Sequence, residues 1–175
     1  MRGSLLAGIA LIAASLAPPG GAPADLTAGA SRKASPDFTL SDSQGHPVRR
    51  SAYQGRVLLL DFWATWCEGC KTEIPWYMEF QDKYQKAGLA VVGVAMDEEG
   101  WKSVRPFLAE NKLNYPVVLD DARVSRAFGV SALPVTLLID RNGRIADQHA
   151  GLVDKEAFEK EIQALLQDAG RRSDR

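Results

Sequence analysis

Cysteine and histidine are scarce in this chain: among 175 residues there are two of each. A structural zinc site takes about four such ligands. His46 and His149 lie far apart without ligand-like spacing, so no metal is expected. Covalent haem attachment calls for histidine directly after a second cysteine, a place held here by Lys71. Positive charge is not in excess either. Lys and Arg number 21 against 22 Asp and Glu, a net charge of -1, which argues against a surface built to neutralise phosphates. Long apolar runs are also missing, since the block at residues 5–17 is too short to span a bilayer comfortably.

That block has a different meaning. It follows a positive start at Arg2 and runs into a Pro/Gly-rich stretch ending in Ala22-Pro23-Ala24, the pattern of a secretory signal over residues 1–24. An uncleaved anchor is the rival reading. No cysteine lies near the cleavage region, which excludes lipid attachment there. Export would place the remainder in an oxidising compartment, where cysteine pairs meet disulfide chemistry. Residues 25–35 are small and polar and read as a flexible linker. With 46% hydrophobic and 25% charged residues overall, residues 36–169 suit one globular domain with a real core, and 170–175 a solvated polar tail.

Within the domain, two short extended runs around Ser43-Gln44-Gly45 predict a hairpin. Val57 to Trp63 is nearly all apolar, as in a strand covered on both faces. Ile74, Tyr77, Phe80 and Tyr84 recur at helical spacing before Gly88, and residues 89–96 read as a second buried strand. Strand, helix and strand in that order give a parallel right-handed crossover. A helix around Trp101 to Leu108, a strand at 116–120 and a short helix stopped by Gly129 come next. A hairpin over Arg141-Asn142-Gly143 and a last helix from near Asp154 complete a three-layer α/β domain with a central mixed sheet.

The only two cysteines, Cys67 and Cys70, stand three positions apart at the end of the first buried strand. A purely structural disulfide would close too small a loop to stabilise much. Dithiol–disulfide redox chemistry remains, with the disulfide itself as the only redox group and no other cofactor. A helix beginning at Cys67 would set its sulfur over free N–H groups and the positive dipole end, favouring the thiolate. Cys67 is then the nucleophile, and Cys70 resolves the mixed disulfide. Asp61 interrupts an apolar run, a costly position unless the group works. Desolvated behind Cys70, it could take that thiol's proton; otherwise it ends the strand in water. Glu73 lies one turn beyond Cys70 and reads equally as a proton-exchanging neighbour or a solvated helix residue. Trp66 suits an apolar rim for partner docking, whereas Trp63, Trp76 and Trp101 read as packing residues.

The stretch DFWATWCEGCKTEIP resembles the active-site strand and helix of thioredoxin-like proteins, including the proline five residues after the second cysteine, here Pro75. The signal, the leading hairpin, Glu73 and the inserted helix with PVVLD resemble the exported TlpA/ResA-like branch. The likeness covers roughly residues 36–169. It implies a thioredoxin-like fold, a functional Glu73, and a cis Pro134 facing the cysteines, with Leu133 offering backbone groups to a substrate strand. Trp66, Glu68 and Gly69 would join that contact surface, and Glu68 and Gly69 would tune the potential. The activity implied is protein-disulfide reduction, for instance of the haem-attachment cysteines of apocytochromes c, recharged by a membrane thiol-electron donor. Two positions depart from the branch. Gly69 stands where proline is common, and Asp61 holds the buried-acid place of cytoplasmic thioredoxins, so this chain carries both acids.

Two other functions compete. Thiol peroxidases in related folds use Pro-x-x-x-Thr/Ser-x-x-Cys, and none of the three residues before Ala64 is such a proline. A copper-binding module using the two thiols lacks a convincing histidine partner.

Overall fold

A computed structural model describes residues 26–168. The signal or anchor and the polar tail lie outside the described residues. A small antiparallel hairpin, β1 (Thr39–Ser41) with β2 (Pro47–Arg49), precedes the main sheet. The sheet comprises β3 (Val57–Trp63), β4 (Leu89–Ala95), β5 (Val117–Leu119), β6 (Val135–Ile139) and β7 (Ile145–Ala150) in the order β5-β4-β3-β6-β7. Helices α1 (Glu68–Tyr84), α2 (Trp101–Asn111), α3 (Arg123–Ala127) and α4 (Lys155–Asp168) complete the expected α/β architecture. Among the described residues, no helix is long and apolar enough to cross a membrane.

β3 and β4 are apolar because both of their faces are covered, and all seven residues of each are buried. They pair in parallel through the α1 crossover, while β6 and β7 add antiparallel to the other side of β3. The inserted α2–β5 element extends the opposite edge, and an isolated bridge from Asp42 to Val118 ties the leading hairpin to it.

Turn chemistry fixes the joins. After α1, Gly88 adopts φ 105°, a left-handed backbone that favours glycine, and a Cβ there would displace the Arg141 guanidinium. The β6–β7 hairpin is longer than a two-residue Asn-Gly turn. Gly143 N–H donates to Asp140 O at 2.9 Å, Gly143 takes φ 72°, and Asp140 Oδ1 accepts from the Asn142 and Arg144 amides.

The flexible linker expected over residues 25–35 is corrected by the structure. From residue 26 onward the segment is docked along β7 and the β6–β7 turn. Thr27 N–H bonds Ala146 O, Lys33 O accepts from Ile145 N–H, and Ser35 N–H bonds Gly143 O. Arg32 explains the docking: its guanidinium is buried, reaching Asp140 at 3.2 Å and Thr27 O at 2.9 Å. A buried cation with matched acceptors pins a chain that composition alone reads as loose.

The core divides at the sheet. On one face Leu58, Leu60 and Phe62 of β3 pack with Phe38, Phe128, Val135 and Leu137. On the other, Leu59 and Trp63 pack with Ile74, Tyr77 and Phe80 of α1 and Phe158 and Ile162 of α4. Asp61 belongs to this second face by strand alternation.

Candidate active site

The site forms where β3 hands over to α1. Cys67 is the N-cap of α1 rather than its first residue, so its sulfur sits outside the first turn and accepts the Cys70 N–H at 3.2 Å. That is the helix end where free amides and the dipole favour negative charge. Asp97, just after β4, accepts from the Thr65 N–H at 3.1 Å and anchors the approach to Cys67. Sequence reasoning missed Asp97, a polar residue after a strand with no motif to flag it.

Cys67 and Cys70 are joined by a disulfide of 2.07 Å, and they differ sharply in access. Cys67 retains 6% exposure, while Cys70 has none. Trp66 beside them is 64% exposed, an apolar surface at the mouth of the site. Glu68 lies in solvent and pairs with Lys71 at 2.7 Å. The helix continues through Pro75, whose missing N–H leaves the Lys71 carbonyl without its helical donor.

A second segment meets the cysteines from β6. The Leu133-Pro134 peptide is cis, and a Cβ on Gly69 would lie 3.3 Å from Pro134 Cδ. Pro134 therefore packs against the turn between the two sulfurs. Pro134 O accepts the Gly151 N–H at 2.8 Å, which brings a third segment, with Leu152 exposed at its tip, to the same end of the sheet.

Two acids have no access to water: Asp61 of β3 and Glu73 of α1, the helix that carries Cys70. Asp61 is fully buried, and neither carboxyl oxygen has a hydrogen-bond partner among the described residues. Burial, and then the charge of Glu73, hold its carboxyl well above the usual carboxylate range. The alternative in which Asp61 ends the strand in water is overturned by its position: Phe62 and Trp63 continue the buried strand beyond it. Glu73 is also fully buried, so it is not a solvated helix residue. Its Oε1 accepts the Val153 N–H at 2.8 Å, and Oε2 has no hydrogen-bond partner among the described residues. Burial raises the Glu73 carboxyl, opposed by Val153 N–H, the Tyr77 hydroxyl and the charge of His149.

Tyr77 and Thr136 complete this polar pocket, their oxygens 2.8 Å apart. Burial, with the charges of Asp61 and Glu73, pushes the Tyr77 hydroxyl well up. Neither residue belongs to a sequence motif that points to this role. Tyr77 reads as one more apolar helix position, although Thr136 inside VTLLI was a signal, a hydroxyl in an otherwise hydrocarbon strand.

His46 is exposed near the hairpin turn, 3.3 Å from Asp42. His149 joins Asp147 and Glu161. Among the described residues this trio is the only cluster of three possible metal ligands, and it includes neither cysteine.

Comparison with known proteins agrees with this geometry. The AhpC/TSA family profile matches residues 32–148. The thiol-disulfide oxidoreductase ResA of Geobacillus kaustophilus is 36% identical over 140 residues, covering 79% of this chain and 80% of the relative. The thioredoxin-like protein YneN of Bacillus subtilis is 31% identical over 73% of this chain and 75% of its own length. A crystal structure from Chlorobium tepidum, described as a thiol:disulfide interchange protein DsbE, superposes with a TM-score of 0.73. Its sequence is 38% identical, and the match covers 77% of this chain and 96% of that one.

Proposed function

Starting from a chain that belongs to the AhpC/TSA family and is a thioredoxin-like thiol-disulfide oxidoreductase of the ResA/DsbE type, we propose that it is exported and reduces disulfides of protein substrates outside the cytoplasm. The observation that carries this reading is the asymmetry of the pair. A partly open sulfur sits at a helix N-cap, and a sealed one follows within the first turn, three residues before the buried Glu73.

In the reduced protein, Cys67 thiolate attacks one sulfur of a substrate disulfide, and the other substrate sulfur leaves as a thiolate that takes a proton from water. Cys70 then gives its proton to a buried carboxylate and attacks Cys67 Sγ. The second substrate sulfur departs, and the Cys67–Cys70 bond closes. Two electrons have passed to the substrate, so a thiol-electron donor at the membrane must restore the dithiol. Trp66, Glu68, Gly69 and the Leu133-Pro134 segment form the docking surface, where an extended substrate segment lies beside Leu133. Apocytochromes c, with paired haem-attachment cysteines, are the substrates this reading favours. Against peroxidase chemistry, the residues before Ala64 are buried strand with no proline to position peroxide.

Trapping tests the proposal. Replacing Cys70 with Ala in the export-competent chain should leave substrate covalently held on Cys67, identifiable by mass spectrometry. Cytochrome precursors support the specific role, and a broad mixture supports a general reductase. Absence of any trapped protein overturns both.

A further inference from the structure

The turn that delivers Cys67 to its helix has little packing of its own. It runs from Ala64 to Cys67 and is closed by the Cys67 N–H on Ala64 O at 3.1 Å, and both end residues are buried. The two between are not. Thr65 is half-buried, and Trp66 is 64% exposed. Burial is non-directional. It fixes the ends of this turn and leaves the orientation of its middle to polar contacts.

Asp97 supplies those contacts from the end of the neighbouring strand. β3 and β4 run in parallel with Trp63 opposite Ala95, and the pairing goes one step further as the Met96 N–H bonds Trp63 O at 2.8 Å. The next residue, Asp97, therefore arrives beside Thr65. Thr65 has two donors, and Asp97 takes both: the N–H, 3.1 Å from Oδ2 and 3.2 Å from Oδ1, and the hydroxyl, 2.5 Å from Oδ1. Charge-assisted bonds from the backbone and the side chain of one residue to one carboxylate fix its main chain and its χ1 together. The acceptor is itself held. Asp97 is buried, and its carbonyl accepts the Gly100 N–H at 2.9 Å, where Gly100 is the N-cap of the inserted helix α2.

We propose that Asp97 is a positioning residue of the redox site: by holding both donors of Thr65, it sets the turn that seats the Cys67 sulfur on the cap of α1 and turns Trp66 outward. This rests on the function proposed above and adds what orients its nucleophile. Asp97 acts through Thr65. Cys67 Sγ must meet the Cys70 N–H, 3.2 Å away, for the helix end to favour the thiolate, and a turn released at Thr65 loses that alignment. An Asp97 that acted only through its charge would do the reverse. An anion near Cys67 disfavours the thiolate, so deleting it would lower the thiol's titration, whereas deleting a positioning group raises it. The sign of the change separates the two roles.

The test is the pH profile of Cys67 alkylation by iodoacetamide in reduced full-length protein, compared between parent and variants. Asp97→Ala should move the Cys67 titration up by about one pH unit, towards that of a free thiol. Asp97→Asn, whose side-chain oxygen and NH2 can keep both contacts with Thr65, should stay at the parent value or below it. Thr65→Val, which deletes only the hydroxyl, should move it up by less. Glu68 and Lys71, paired on α1, and the buried Asp61 and Glu73 are the same in all three. Circular dichroism establishes that each variant is folded. An Asp97→Ala titration that is unmoved or lowered overturns the proposal, as does an Asp97→Asn titration that rises as far as that of Asp97→Ala. If Asp97→Ala does not fold, Thr65→Val decides, and an unmoved titration there overturns it. A parent whose Cys67 titrates as a free thiol would overturn the helix-cap nucleophile of the proposed function itself, an outcome seen without any variant.

Discussion

The two faces of β3 are both buried and do opposite things. Towards Phe38 and Phe128, Leu58, Leu60 and Phe62 meet only hydrocarbon and aromatic rings. Towards α1 and α4, Leu59 and Trp63 flank an acid with no hydrogen-bond partner among the described residues, on the face that also receives Tyr77 and Thr136. A domain needs both faces filled, yet stability alone would fill both alike, because an unpaired buried carboxyl costs free energy. Along β3, the one buried acid lies on the face that packs against α1, the helix that carries Cys70. One face holds the fold together, and the other gives up stability for sulfur chemistry.

The comparison is broken most completely at the sulfur itself. Cys67→Ser should lower insulin reduction at least a thousandfold with the unfolding curve of the parent's reduced form little changed, since a 6% exposed atom at a helix cap is replaced by a good capping group. The hydrocarbon face should respond in the opposite way. Phe62→Ala should cost about 3–5 kcal/mol in urea unfolding, while turnover per folded molecule stays near the parent value.

Asp61→Asn sharpens the contrast, because it should raise stability at neutral pH by about 1–3 kcal/mol and slow the Cys70-dependent step. The sign follows from the raised carboxyls of Asp61 and Glu73. Folded protein binds more protons than unfolded chain, so the associated stability is whole below their ordinary values of 3.8 and 4.5 and is lost as pH climbs through the folded values. Urea titrations over that window should show the advantage of Asp61→Asn growing with pH; a constant difference would contradict a raised Asp61. The smallest effect belongs to the rim. Trp66→Ala should raise KM for protein substrates several-fold and leave stability and small-dithiol exchange nearly unaltered, as befits a side chain 64% exposed.

Much of this organisation is legible in the sequence. Unbroken apolar runs such as VLLLDFW and LAVVGVA announce strands covered on both faces, and Cys67-Glu68-Gly69-Cys70 at a strand-to-helix turn announces redox chemistry. Asp61 is visible because it violates its surroundings. What stays hidden depends on tertiary approach. Residues 26–35 carry no periodicity, and only the fold shows that Arg32 finds Asp140, 108 positions away. His149, Asp147 and Glu161 become a cluster only when β7 and α4 pack together. Val153 gives Glu73 a backbone partner 80 positions away, a contact no local pattern encodes.

The central claim, that the helix cap makes Cys67 an anion at neutral pH while Cys70 stays sealed, is open to one direct measurement. Reduced protein is alkylated with iodoacetamide over a pH series, and each cysteine is quantified by mass spectrometry. The prediction is modification of Cys67 alone, with its rate titrating clearly below the value of about 8.5 for a free thiol. Equal labelling of Cys67 and Cys70, or a titration at the free-thiol value, would contradict it.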